Sequence, residues 1–363
     1  MPQRTSTASS AEATRKRELA LEAAETAGFE GLVASTPASV RWLLCGRGRP
    51  VDTAAPDAGY AVVLVRERAL VLTPNIEAGR AKTEERFEEL EYELISYPWH
   101  EGPAPAIARL TAGARVVSDT DLDASLASLR RRLSAEERGR YRAAAADAAA
   151  AMVNVVRCLS PEQRETEVAG ELARETHARG FTAPVILVAG DARQKVHRHP
   201  VPTDARLGRH ALVAVTAERD GLHTSLTRLV SFGPPPHELV ALVEAVAAVD
   251  AAVLTASVPG RTVGEAFDVL ADAYAERGFP DEWRLHHQGG LTGYRGREVF
   301  AVAGSGALIP ESCAVAWNPS ITGGAKSEDT ALVGPDGVEI VTRTAELPEL
   351  TLDGITRPAI VEL

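Results

Sequence analysis

The sequence predicts an α/β protein in two parts, and three observations predict it. First, the runs GLVAS, YAVVLV, RALVLT and ARVVSD are short, apolar and bounded by turn residues, as strands are. Second, apolar residues at helical spacing alternate with those runs from Ala11 onward. Third, the remainder carries a weak internal repeat. A long helix, a turn rich in Pro or Gly and a second helix end in HARGF at His177 to Phe181, and the same order ends in ERGF at Glu276 to Phe279. The boundary falls before Ser134, which gives an N-terminal α/β domain over 1–133 and a C-terminal domain over 134–363.

Each element has a local reason. Residues up to about 10 are small and polar and are expected to be disordered. A helix from Ala11 to Thr26 stops at Gly28. VRER joins YAVVLV to RALVLT as a hairpin, and ARVVSD is a further strand. Ser134 with Glu137 three residues on has the form of a capping box that opens an Ala-rich helix to about Cys158. The surrounding RRRLSAEERGRYR reads as a solvated helical face. From Pro236 the second copy begins with ELVALVEAVAAVDAAVLTA, turns at VPGRT and resumes as a helix near Val263. Each copy leads into strands and a histidine pair, His197/His199 in the first and His286/His287 in the second. Two copies of one unit tend to pack about a pseudo-twofold axis, so the pairs are expected to face one cleft.

Composition narrows the class. With 363 residues, 45% hydrophobic and 25% charged, the chain is an ordinary globular protein able to bury a real core. No apolar run approaches the roughly 20 residues of a membrane helix, and the N-terminus lacks a signal-peptide centre, so a cytoplasmic location is expected. A formal charge of −11 disfavours nucleic acid or an anionic membrane surface as partner. Cys45, Cys158 and Cys313 are odd in number and scattered, which suggests buried small hydrophobes and no disulfide framework. Arg outnumbers Lys 35 to 4, a usage bias before it is a functional signal.

Four segments carry chemistry: VHRHPVPTDARLGRHALVAVTAERDGLHTSLTR, HHQGGLTGYRGRE, AVAWNPS and KSEDTALV. In their order and spacing they resemble the pita-bread fold family of prolidase, aminopeptidase P, methionine aminopeptidase and creatinase, over essentially the whole chain. That resemblance implies a creatinase-like N-terminal domain followed by a pita-bread domain. Metallopeptidases of the family hold two divalent ions with two aspartates, one histidine and two glutamates. Hard cations want several oxygen donors, one of them bridging. Here the aspartates fall on Ala214 and Ser225, the histidine on His286 or His287, and the glutamates on Asn318 and Glu328. Three of the five carboxylates or ligands are gone, so neither a metal nor any other cofactor is expected.

The pattern is similar to the metal-free creatinase branch, with HTSLTR and YRGRE in place of YTALER-like and YGRE-like stretches. The branch implies a catalytic His197, an active-site Glu328, and Thr227 where a second glutamate is lost. Water without a metal needs a base near neutral pH, which a histidine provides. Arg297 can grip a substrate carboxylate and Asn318 can offer an amide hydrogen bond. His199, His223 and Tyr294 are further substrate-binding candidates. Arg47 and Arg49 in CGRGR are candidates to reach a partner subunit's cleft. The expected activity is metal-independent hydrolysis of a C–N bond in a small carboxylate-bearing amide or amidine, by a homodimer. A lyase or isomerase of a specialised pathway and a silent binding module are the alternatives. A metal-dependent Xaa-Pro dipeptidase is the reading least in keeping with the lost ligands.

Overall fold

The computed structural model describes residues 9–363, so the expectation of disorder lies almost wholly outside the described residues. The chain divides into two compact units, Met1–Arg140 with Asp220–Leu222, and Tyr141–Arg219 with His223–Leu363.

The first unit is a five-stranded mixed sheet in the order β4-β3-β2-β1-β5, formed by β1 (Gly31–Ala34), β2 (Ala61–Val65), β3 (Arg68–Pro74), β4 (Glu93–Tyr97) and β5 (Val116–Ser118). The hairpin β2–β3 is antiparallel, and Arg66 takes a positive φ of 55° at its turn. β4, with its mixed ELISY, escaped the sequence reading because only its edge position, parallel to β3, makes it a strand. The opening helix spans Ser10–Thr26 and is capped by Ser9.

RRRLSAEERGRYR is not a solvated face. Ser134 and Glu137 do close a capping box, with Ser134 N donating to Glu137 at 2.7 Å and Glu137 N to Ser134 Oγ at 3.2 Å. Glu137 is nevertheless buried and pairs with Lys16 at 2.7 Å, while Arg140 donates to Glu12 at 2.6 and 2.9 Å. Within this buried group of four charges, Arg140 and Lys16 hold Glu12 down at about 2, although burial alone would raise it. The sequence shows charge but not which helix face meets another.

The second unit repeats one plan. Helices Ala135–Val156 and Glu165–Ala178 precede a sheet in the order β18-β8-β7-β6, formed by β6 (Thr182–Gly190), β7 (His210–Arg219), β8 (Leu222–Ser231) and a late strand, Val361–Glu362. Helices His237–Ala256 and Val263–Glu276 precede the other, ordered β10-β9-β11-β14-β15. Its strands are β9 (Gly289–Thr292), β10 (Val299–Phe300), β11 (Cys313–Trp317), β14 (Asp329–Gly334) and β15 (Gly337–Ile340). Small pairs complete the unit: β12 (Ser320–Ile321) with β13 (Ala325–Lys326), and β16 (Glu349–Leu352) with β17 (Ile355–Pro358); the late strand is β18.

Each sheet has its own apolar core. Ala148, Met152, Val156 and Leu172 pack beneath β6–β8, and Val246, Val253, Phe267 and Leu270 beneath β9, β11 and β14. Contrary to the sequence expectation, helix His237–Ala256 is long and apolar enough to cross a membrane by length and composition. It is a mostly buried core helix, apolar nearly all round because both its neighbours are protein. Of the cysteines Cys45 and Cys313 are buried, but Cys158 is exposed just beyond its helix.

Candidate active site

The site grows from strand alternation. Successive side chains of an extended segment point to opposite faces. In Lys326-Ser327-Glu328-Asp329, therefore, Lys326 and Glu328 turn one way and Ser327 and Asp329 the other. On β8, Thr227 meets Glu328 while Arg228 meets Asp329: Thr227 Oγ1 donates to Glu328 Oε2 at 2.7 Å, and Arg228 Nη2 to Asp329 Oδ1 at 2.9 Å. Backbone bonds lock this register, with Thr227 N donating to Glu328 O at 3.0 Å.

Glu328 is thereby buried with both oxygens engaged. Lys326 Nζ lies 3.1 Å from Oε2 and Arg297 Nη2 lies 3.3 Å from Oε1. Burial would raise its pKa, but the cations Lys326 and Arg297 and the Thr227 hydroxyl outweigh burial and hold it below the usual range. Burial in turn lowers Arg297, against the pull of Glu328. Arg297 Nη1 also donates to Gly296 O at 2.6 Å and approaches Ser225 Oγ at 3.5 Å.

Around this pair lies a cavity of ≈ 310 Å³. Pro184, Val185 and Leu187 of β6 and Phe300 of β10 form apolar walls; Ala214 and Thr216 of β7, His223, Asn318, His199 and His287 complete the lining with the charged trio. HHQGG is shaped by the sheet it enters. Gly289 and Gly290 have φ of 91° and 139°, and a Cβ on them would lie 2.1 Å from Ala316 O and 2.2 Å from Val299 O, so no other residue fits. This close packing turns His287 into the cavity, its ring centroid 5.1 Å from that of Phe300, and leaves His286 buried beside it.

Three imidazoles meet here. His286 Nε2 and His199 Nε2 are 2.9 Å apart, and the rings of His286 and His287 stack at 4.5 Å. Burial, Lys326 and the neighbouring imidazoles push His286 down to about 2. Burial and Arg297 bring His287 to about 4. Burial and Lys326 lower His199 as well, and burial lowers His223, whose Nδ1 lies 3.2 Å from Gly293 O. All are driven toward the neutral form.

The sequence-derived candidates therefore separate. Glu328, Arg297, Asn318, His199, His223 and His287 line one cavity. Thr227 braces Glu328 from behind the lining, and Tyr294 is buried outside the lining. His197 does not face His286 and His287. It is exposed at the end of helix Asp191–Val196 and borders a separate cavity of ≈ 20 Å³. His199, two residues on, is the one that meets His286 and His287. Arg47 lies in the first unit, bonded to Glu85 O at 3.1 Å and Glu89 at 2.8 Å, and Arg49 is exposed there. Lys326 was missed. Its signal was available: it precedes Glu328 by two residues, on the same face, and is one of four lysines.

A two-ion centre of the kind the family resemblance suggests does not fit these residues. Ala214 and Ser225 offer no carboxylate, Asn318 is a neutral amide, and Glu328 is neutralised by Lys326 and Arg297. His199, His286 and His287 do bring nitrogen atoms within 4.8 Å of one another. Burial and, beside it, Lys326 lower all three pKa values, and that same cation opposes a further positive charge beside them.

The model of metallopeptidase family M24 matches residues 139–335, more than half of the chain. Among solved structures, the dipeptidase PepE from Mycobacterium ulcerans superposes with a TM-score of 0.73 at 20% identity, covering 98% of this chain and 99% of that one. The prolidase from Pyrococcus horikoshii OT3 gives 0.74 at 16%, over 91% and 98%. The N-terminal domain of FACT complex subunit SPT16 from chickpea, Cicer arietinum, gives 0.64 at 14%, over 92% and 95%. At these identities the likeness is one of fold: an N-terminal domain followed by a pita-bread domain. No curated protein matches the chain.

Proposed function

The chain belongs to metallopeptidase family M24, and from that premise we propose that it is a metal-independent, creatinase-like hydrolase acting on a C–N bond of a small carboxylate-bearing substrate. The observation that carries this reading is the pairing of Glu328 with Lys326 and Arg297. Two fixed cations stand beside the one remaining family carboxylate, and they supply the positive field that metal ions supply elsewhere in the family.

In this reading His199 is the proton acceptor. It lines the cavity, and burial and Lys326 favour its neutral, proton-accepting form. It takes a proton from water as the water oxygen bonds to the scissile carbon. The C–N bond then breaks, and the nitrogen leaves carrying that proton, so that one water is added across the bond. Lys326 and Arg297 stabilise the developing oxyanion, and Thr227 holds Glu328 so that both cations stay aimed. His287 and His223 contact substrate as neutral hydrogen-bonding groups. Arg47 and Arg49 belong to the proposal as residues for a partner subunit's cleft, in a cytoplasmic homodimer.

The test is turnover of a panel of acyl amides and amidines bearing a carboxylate, with the protein dialysed against a chelator and its metal content measured. Chelator-resistant turnover that His199→Ala abolishes is the expected result. About two tightly held ions per chain, or cleavage of Xaa-Pro dipeptides only after metal loading, would return the ordinary dipeptidase reading. Product analysis separates hydrolysis from lyase or isomerase chemistry. A binding module without turnover is the second reading. Its support is the loss of three ligand positions, together with the likeness of fold to a domain of a complex subunit.

A further inference from the structure

On the hydrolase reading above, in which His199 takes the proton from water, we infer that Arg198 is a positioning residue that sets His199 against His286. Arg198 does not line the cavity of ≈ 310 Å³ and borders the separate one of ≈ 20 Å³. Its guanidinium is held by three side chains of the second repeat. Nη1 donates to Ser320 Oγ at 3.0 Å, and Nη2 donates to Thr322 Oγ1 at 2.7 Å and to Glu282 Oε2. Glu282 Oε2 also accepts from Thr322 N at 3.0 Å, so one carboxylate and one guanidinium tie the turn Glu282–Leu285 to the end of β12. The ion pair is largely enclosed, with side chains 20% and 14% exposed, and solvent screens it less than it screens a surface pair.

The imidazoles are the covalent neighbours of these anchors. Arg198 immediately precedes His199, and the turn Glu282–Leu285 immediately precedes His286. A second route arrives at the same place. Ser320 N donates to Tyr274 Oη at 2.8 Å, Tyr274 Oη lies 3.0 Å from Gln288 Oε1, and Gln288 Nε2 donates to His286 O at 2.6 Å. The fork of Arg198 thus fixes both backbones that carry the pair, whose Nε2 atoms end 2.9 Å apart. His199 needs such a tether, because it is exposed and lies on an irregular segment between helix Asp191–Val196 and β7. Its contact with His286 engages Nε2 and leaves Nδ1 to meet the water. Proton transfer requires hydrogen-bond reach, and a displacement of about 1 Å lowers a rate about a hundredfold. A lysine at 198 could keep the pair with Glu282 but could not fork to Ser320 as well.

Magnetic resonance of the full-length protein with isotope-labelled histidine tests this without turnover, through the nitrogen–nitrogen coupling across the His199–His286 hydrogen bond. The coupling is expected in the unaltered protein, lost in Arg198→Ala and restored when guanidinium ion, at a non-denaturing concentration, fills the space the side chain leaves. Arg142→Ala, which breaks the exposed ion pair with Glu339, should leave it unchanged. Circular dichroism checks folding, and if Arg198→Ala does not fold, Arg198→Lys replaces it, with a weakened coupling expected. On any substrate the panel identifies, Arg198→Ala should lower kcat about a hundredfold with KM nearly unchanged, and guanidinium should recover part of the loss. If no substrate is found the hydrolase reading fails, while the coupling still decides this inference. No coupling in the unaltered protein, a coupling that survives in Arg198→Ala or is undiminished in Arg198→Lys, or a loss that guanidinium does not reverse overturns it.

Discussion

Two buried charge clusters flank the stretch Lys326-Ser327-Glu328-Asp329, and they are finished to different degrees. Behind it, Asp329 accepts from Arg228 at 2.9 Å, Thr342 Oγ1 at 2.7 Å and Arg357 at 3.0 Å, while Asp250 takes Ser327 Oγ at 2.6 Å and Arg357 at 2.7 Å. Arg228 finds further partners in Thr344 Oγ1 and Thr342 O. Only Arg357 Nη1 in that group lacks a partner. In front, Arg297 Nε, Asn318 Oδ1 and His286 Nδ1 all lack one. Both clusters sit in a low-dielectric interior where incomplete pairing is costly. The rear cluster is a brace that ties β8, β14 and the late hairpin together, and the front one is left with hydrogen-bonding capacity unmet.

The largest expected effect tests the brace. Asp329→Ala leaves Arg228 and Arg357 buried without their shared carboxylate and should lower the unfolding free energy by about 3–5 kcal/mol in guanidinium titration. A loss below about 1 kcal/mol would break the contrast between the clusters.

Acid should act on the front cluster next. His286 is held at about 2 in the folded state by burial and Lys326, against about 6.5 in an unfolded chain. The unfolded state binds the extra proton, so this contribution to stability is complete above about pH 6.5 and is lost as pH falls. The slope is at most about 1.4 kcal/mol per pH unit. Unfolding midpoints at pH 7 and pH 5 should differ accordingly, and His286→Asn should flatten that acid limb.

Smaller effects sharpen the picture. Thr227→Val removes the 2.7 Å hydroxyl contact to Glu328 and should cost about 0.5–1.5 kcal/mol. It should also lower kcat for any substrate while leaving KM nearly unchanged, which a merely structural threonine would not do. The smallest expected change has the opposite sign. Asn318→Leu removes a buried acceptor that nothing satisfies and should raise stability by about 1 kcal/mol, measured by urea unfolding.

Much of the architecture was legible in local pattern. The hairpin β2–β3, the Ser134 capping box and the two copies of helix-turn-helix-sheet each rest on residues close in sequence, where turn chemistry and apolar periodicity act directly. Edge strand β4 and the buried ion cluster of Glu12, Lys16, Glu137 and Arg140 were not legible, because each depends on a partner far along the chain. The candidate site divided in the same way. Glu328, Arg297, Asn318 and His287 could be named from motif order, and they share one cavity. His197 follows from the same resemblance, but it caps the short helix Asp191–Val196 and borders a separate cavity, which the motif alone does not show.

By itself, then, the sequence determined which chemistry is absent and which elements form. Ala214, Ser225 and Asn318 have no carboxylates whatever their surroundings, and Gly289 and Gly290 allow a close approach that only glycine permits. Tertiary structure decided which charges meet. Arg297 comes to Glu328 across 31 positions of chain, and His199 comes to His286 across 87. The physical reason is that a covalent neighbour sets only the face on which a side chain lies, whereas the field it feels is set by whatever the packed sheets bring within a few ångströms.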